Sequence, residues 1–236
     1  MINIEKIHLL QDDVLTFLGG IQDFPFIFSG STLLARAYLQ HRNSYNLDFF
    51  AKEEGFDTEE IKEIIDTMSD FFDIQDLPSK DFSFPKNIEN KVFQVNRKKE
   101  EDTKIQIIFW ENLFVGKFET VPIEFGIEIE DMSGVYNRKI NDIFNEPLNT
   151  EHFMDLYALD EEIPLELVYE KEFIPLVGEF NVSLTKGDLK EKLQNYLNFV
   201  ENDKIKVDKE LKFYGVTYNP NTLEKWLKEK IQILEK

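Results

Sequence analysis

The sequence predicts an α/β fold of the α+β kind: a mixed sheet flanked by helices over residues 1–130, followed by a mainly helical C-terminal region over 131–236. Three observations predict it. Short bulky runs around Phe26-Ile27-Phe28, Leu47–Phe50, Val92–Val95 and Ile105–Trp110 have the length and composition of strands. Between them, Ile61, Ile64, Ile65, Met68, Phe71 and Phe72 recur on one helical face. Beyond residue 131 the apolar spacing turns helical, and no repeat or low-complexity linker marks where one region ends.

In chain order, Leu9, Leu10, Val14, Leu15 and Leu18 lie at helical spacing, and Gly19-Gly20 closes that helix. Phe24 and Phe26–Phe28 follow as a buried strand. Ser29-Gly30-Ser31-Thr32 breaks the strand, and Leu33, Leu34, Ala37 and Tyr38 restart a helix. Ser44–Phe50 lacks helical period and predicts a second strand. A helix over Asp57–Phe72 opens on a capping-box pattern, Asp57 with Glu60. Pro78 and Pro85 make 73–89 a loop or edge segment. Strands at 92–95 and 104–110 flank the charged turn Arg97–Asp102, and Ile123, Phe125, Ile127 and Ile129 alternate along a further strand over 121–129. Helices then follow at 132–143, ended by Pro147, at 150–159 behind an Asn149 or Thr150 cap, at 188–200 and at 221–234. Residues 160–186 fit no single pattern.

Composition removes several classes of function. The 236 residues carry 27 basic against 46 acidic side chains, a net charge of −19, and no cysteine. Disulfide scaffolds and thiolate zinc sites are excluded, and His8, His41 and His152 are too scattered to form a histidine-rich metal cluster. No run reaches the ~18 apolar residues of a membrane span, and the N-terminus lacks a basic leader, so a cytoplasmic protein without membrane attachment is expected. The charge repels polyanions and disfavours tRNA as a partner. The one basic triplet, Arg97-Lys98-Lys99, is cancelled by the three acids that follow it.

The chemistry-bearing segment is Phe28–Ala35 followed by His41-Arg42-Asn43-Ser44 and Asn46-Leu47-Asp48-Phe49-Phe50. Together with Val135–Ile140 and Phe153–Tyr157, in that order, these blocks resemble nucleotidyltransferases, and more narrowly the AbiEii/AbiGii toxin family. The resemblance implies transfer of a nucleotidyl group from an NTP to an acceptor hydroxyl with Mg²⁺. It implies Gly30 and Ser31 for phosphate binding, Asp48 as a metal ligand, Lys139 for the triphosphate and Asp155 for orienting the acceptor or the lysine. Arg42 is a further candidate for nucleotide contact, and an antitoxin or other protein is an implied partner. The physics fits. A strand ending in Gly-Ser at a helix start offers backbone N–H groups to phosphates, and residues i and i+2 on the next strand share a face where two carboxylates can hold Mg²⁺.

Departures from the pattern fall on two metal-ligand positions and on one further position. Asn46 stands at the first position of the carboxylate pair, Gln106 at the position of the third carboxylate, and His152 three residues before Asp155 where the family has an acid. Amides ligate without bringing charge. A second reading therefore stands beside the first: an inactive relative that binds a nucleotide or a protein. Glu124, Glu128 and Glu130 are candidates to substitute for the missing carboxylates. Each residue also has a plainly structural reading: a capped turn at Gly30-Ser31, a hydrogen-bonded carboxylate at Asp48, a snorkelling Lys139 and an ion-paired Asp155.

Overall fold

The computed structural model describes residues 3–100, 102–122, 125–145 and 148–235. Among the described residues the chain divides into two compact units. The first takes in the chain up to Tyr38, Ser44–Asp81 and Ile88–Gly134; the second takes in Leu39–Asn43, Phe82–Asn87 and the chain from Val135 onward.

A seven-stranded mixed sheet organises the first unit. Its strands are β1 (Phe26–Ser29), β2 (Asn46–Ala51), β3 (Phe72–Leu77), β4 (Asn90–Arg97), β5 (Ile105–Trp110), β6 (Thr120–Pro122) and β7 (Glu128–Glu130), in the order β3-β4-β5-β2-β1-β7-β6. β2 runs parallel to β5, and β1 parallel to β7, while the remaining pairs are antiparallel. Helices α1 (Ile4–Gly19), α2 (Gly30–Leu33) and α3 (Thr58–Met68) belong to this unit, α2 running on into a π-helical turn over Leu34–Tyr38. One sheet face is nearly all apolar: Phe26, Phe49, Phe93 and Phe109 meet there ring to ring, with Phe26 and Phe109 centred 4.9 Å apart. Such ring pairs add roughly 0.5–1.5 kcal/mol beyond the area they bury. The strand period turns Asn46 and Asp48 to the opposite, half-buried face.

The second unit is helical: α4 (Met132–Asn145, entering from the first unit), α5 (Thr150–Glu162), α6 (Leu165–Val168), α7 (Ile174–Gly178), α8 (Lys186–Asn202), α9 (Lys204–Phe213) and α10 (Pro220–Leu234). Leu193, Tyr196, Leu223 and Leu227 are fully buried along α8 and α10. No helix among the described residues is long and apolar enough to cross a membrane.

Several elements differ from the sequence expectation. Asp57 caps α3 by accepting the Glu59 and Glu60 backbone N–H groups, but the helix ends at Met68. Phe72 instead opens β3, so the expected loop or edge segment after residue 73 begins as an edge strand, and Phe71 is 61% exposed where a core position was expected. The single strand expected at 121–129 is two short antiparallel strands, β6 and β7, joined through Gly126, whose φ of +80° suits a turn. The stretch 160–186 resolves into α6, a π-helical turn and α7, and α9 lies between the two expected C-terminal helices, where no helix was expected. Ile123, Glu124, Pro147 and Glu101, which entered those readings, lie outside the described residues.

Candidate functional site

The strand-to-helix turn at Ser29-Gly30-Ser31 is the best-defined feature of the first unit. Gly30 has φ +77°, in the left-handed region that glycine enters without cost. A side chain there is also excluded by space, since a Cβ would sit 2.7 Å from Asp48 Oδ2 and 2.9 Å from Asp48 Cβ. The turn's backbone therefore lies directly against the Asp48 carboxylate. Register explains the approach: β1 and β2 pair Ser29 with Asp48. Behind the turn, Thr32 Oγ1 bonds to Ser44 Oγ at 2.8 Å and to the Asn46 carbonyl, and Gln11 Nε2 donates to the Ser44 carbonyl at 3.0 Å. These bonds fix α2 and the start of β2 as one frame.

Asp48 Oδ1 accepts the indole N–H of Trp110 at 3.0 Å. Trp110 in turn stacks on Phe50, ring centres 6.1 Å apart and nearly parallel. Asn46 and Asp48 share a face with Gln106, and Asn46 pairs directly with Gln106 across the parallel β2–β5 ladder. The three positions at which the motif resemblance implies carboxylates thus hold one carboxylate and two amides. Gln94 and Gln75 continue the same register row across β4 and β3, so the row is neutral from end to end.

The three substitute carboxylates fall in different places. Glu130 lies in the register row of Asp48 and Ser29, but two strands from Asp48, about 10 Å by strand spacing. It is buried, and Ser29 Oγ donates to its carboxylate at 2.5 Å. Gly134 is needed there, because a Cβ would come within 2.5 Å of Glu130 Cγ. Glu128 pairs with Lys52 at 3.1 Å, and Glu124 lies outside the described residues. No group of three carboxylate or imidazole side chains suited to a metal ion occurs among the described residues. This donor set does not fit a resident pair of Mg²⁺ ions. One or two carboxylates are the usual protein share for a Mg²⁺ ion carried on a nucleotide's phosphates.

The second unit gathers Arg42, Lys139 and Asp155. Arg42 Nε and a terminal nitrogen bond both oxygens of Asp155, at 2.6 and 2.9 Å, while the same terminal nitrogen reaches Glu151 at 2.8 Å and the other donates to the Asn43 carbonyl. Tyr214 O–H bonds Glu151 at 2.9 Å, and its ring lies 5.1 Å from the guanidinium carbon. His41 Nε2 sits 2.8 Å from Asp155. The side chains of Arg42 and Asp155 are 0% exposed. Burial pushes the Asp155 carboxyl up, but Arg42, His41 and Lys139 outweigh it and hold it well below the usual carboxylate range. Glu151 is lowered too, burial being outweighed by Arg42, whereas burial of Arg42 is outweighed by the two acids that hold its proton. Lys139 Nζ bonds Asp142 at 2.6 Å and lies 3.8 Å from Asp155. His152 Nδ1 lies 3.5 Å from the same Asp142 oxygen.

The chain matches no protein-family profile and no curated protein. Solved structures do resemble it. A protein from H. pylori described as a candidate nucleotidyltransferase aligns with a TM-score of 0.54 at 14% identity, covering 98% of this chain and 94% of its own. The chain has a nucleotidyltransferase fold. JHP933 from Helicobacter pylori and MenT4, the nucleotidyltransferase toxin Rv2826c of Mycobacterium tuberculosis H37Rv, each align with a TM-score of 0.52 at 14% identity, over 98% of this chain and 91% and 84% of theirs. Within the nucleotidyltransferase fold, the structure brings Gly30, Ser31, Asn46, Asp48 and Gln106 to one turn and one strand pair, and Arg42, Lys139 and Asp155 to one buried ionic cluster. Sequence reading missed Trp110 as the partner of Asp48. The available signal was its in-register distance of four from Gln106 on the same strand face.

Proposed function

We propose that this chain transfers a nucleotidyl group from a nucleoside triphosphate to an acceptor hydroxyl, with the turn at Gly30-Ser31 and the carboxylate of Asp48 facing the phosphates. The observation that carries the reading is the approach of the Gly30 backbone to Asp48, which leaves no room for any side chain at residue 30. Such a glycine keeps a backbone surface bare beside a carboxylate, as a site for a phosphate-bound cation requires. In the reaction the acceptor oxygen bonds to the α-phosphorus, the bond from that phosphorus to the β-phosphate bridge breaks, pyrophosphate leaves, and the acceptor's proton passes to a base. The narrower placement in the AbiEii/AbiGii toxin family rests on the ordered motif blocks. The likeness to MenT4 supports a toxin role with an antitoxin as protein partner.

A second reading is favoured by the neutral row itself. With Asn46 and Gln106 in place of carboxylates, the chain binds a nucleotide or a protein without transferring anything. The test is incubation with each of the four α-labelled NTPs and Mg²⁺, against total tRNA and against small hydroxylated acceptors. Label on either acceptor, lost in Asp48→Asn, supports transfer. Nucleotide binding by calorimetry with no label on any acceptor supports the second reading.

A further inference from the structure

Edge strand β3 and helix α3 together form a surface that the proposed transfer does not use. β3 ends the sheet, so alternate residues of Phe72–Leu77 turn backbone N–H and C=O groups outward with no strand to receive them among the described residues. Beside it a groove of about 540 Å³ runs between α3 and the β3–β4 pair, floored by Ile61, Ile65, Ile74 and Phe93. Glu59, Asp66 and Asp76 rim that groove together with Lys62 and Lys91, and Lys62 lies 3.8 Å from Glu59. It opens on the apolar side of the sheet, opposite the Asp48 face, because Asp76 pairs with Phe93, which pairs with Ile107, the partner of Leu47. Phe71, at the entry to β3, is 61% exposed, with its ring 5.4 Å from that of Phe17.

Charge selects the occupant. Residues 52–76 hold ten carboxylates against two lysines, the densest acidic stretch of the chain. A second copy is disfavoured: centred antiparallel pairing of two β3 strands sets Asp73 directly opposite Asp76 of the other copy, and like charges there are destabilising. We propose that β3 receives an extended, basic segment of a partner protein as an added strand. Its backbone pairs with the open edge, its cationic side chains meet Glu59, Asp66 and Asp76, and an apolar side chain enters the groove. Exposed Phe71 caps one end of that strand.

The probe is a labelled octapeptide alternating lysine and valine, titrated into the full chain at low and at physiological salt. Its controls are the same peptide methylated at every backbone nitrogen, which keeps the charge and abolishes strand pairing, and a glutamate–valine peptide. Binding of the lysine peptide at least tenfold tighter than its methylated form, with outward amides of Phe72–Leu77 exchanging at least tenfold more slowly, is the expected result. The double variant Glu59→Lys/Asp76→Lys should bind at least tenfold more weakly at an unchanged melting temperature. Equal binding of the methylated peptide, no binding, protection confined to other segments, or a parent chain that dimerises through β3 would each overturn the proposal.

Discussion

The two charged centres of this chain are built in opposite ways. Around Asp48 there is one carboxylate on a half-buried strand face, with amides beside it, one indole N–H on one oxygen and a bare glycine against the other. Around Arg42 there is a buried network in which a guanidinium, two carboxylates, an imidazole and a phenol bond one another, with the imidazole Nδ1 of His41 left without a hydrogen-bond partner among the described residues. The difference separates a fully buried charge pair from a half-buried carboxylate. A buried pair meets its desolvation cost through its own partners, so its removal is felt as stability. A half-buried carboxylate beside a glycine backbone carries a smaller desolvation cost, so its removal is felt less as stability.

The largest expected effect breaks the buried side. Arg42→Ala removes the main counter-charge of Asp155 and Glu151, leaving Asp155 to His41 and Lys139 and Glu151 to the Tyr214 hydroxyl, and should cost about 3–5 kcal/mol in urea unfolding, whereas Asp48→Asn, which keeps an acceptor for Trp110, should cost under about 1 kcal/mol. Acid sharpens the same contrast. Asp155 and Glu151 are held below their ordinary values, so their contribution is complete above about pH 4–5 and drains away as pH falls through the lower folded values. Melting temperature followed from pH 6 to pH 2 should fall steeply at the acid end in the parent and less steeply in Asp155→Asn.

A smaller effect breaks the half-buried side. Gly30→Ala places a Cβ in a left-handed backbone and against Asp48, for an expected loss of about 1–3 kcal/mol by thermal melting. The same variant should lose nucleotide binding in calorimetry. The smallest effect sharpens the picture of Asp48: Trp110→Phe keeps the ring stack on Phe50 but removes the N–H, for about 0.5–1.5 kcal/mol in urea.

Much of this contrast was legible in the sequence. The two-residue strand period places Asn46 and Asp48 on one face, and the motif order points to Gln106, which the fold pairs with Asn46. The burial of Arg42 was not legible, because its partners Glu151, Asp155 and Tyr214 lie more than a hundred positions away. Phe71 and Phe72 misled for a local reason. They continue the helical period of Ile61–Met68, yet the chain leaves the helix at Ser69, and the strand period from Phe72 onward turns one ring inward and leaves the other in water. The alternation at 121–129 likewise spans a turn at Gly126, where pattern alone carries no sign of a positive φ.

Calorimetry of a Mn²⁺-loaded, non-hydrolysable NTP on the parent and on Asn46→Asp tests the central claim most directly. If the face carrying Asn46, Asp48 and Gln106 meets the nucleotide's cation, a second carboxylate beside Asp48 adds a full negative charge to its ligands, and binding should tighten at least tenfold, about 1.4 kcal/mol. Equal affinity in parent and variant, with both folded, would contradict the assignment of this face as the nucleotide site.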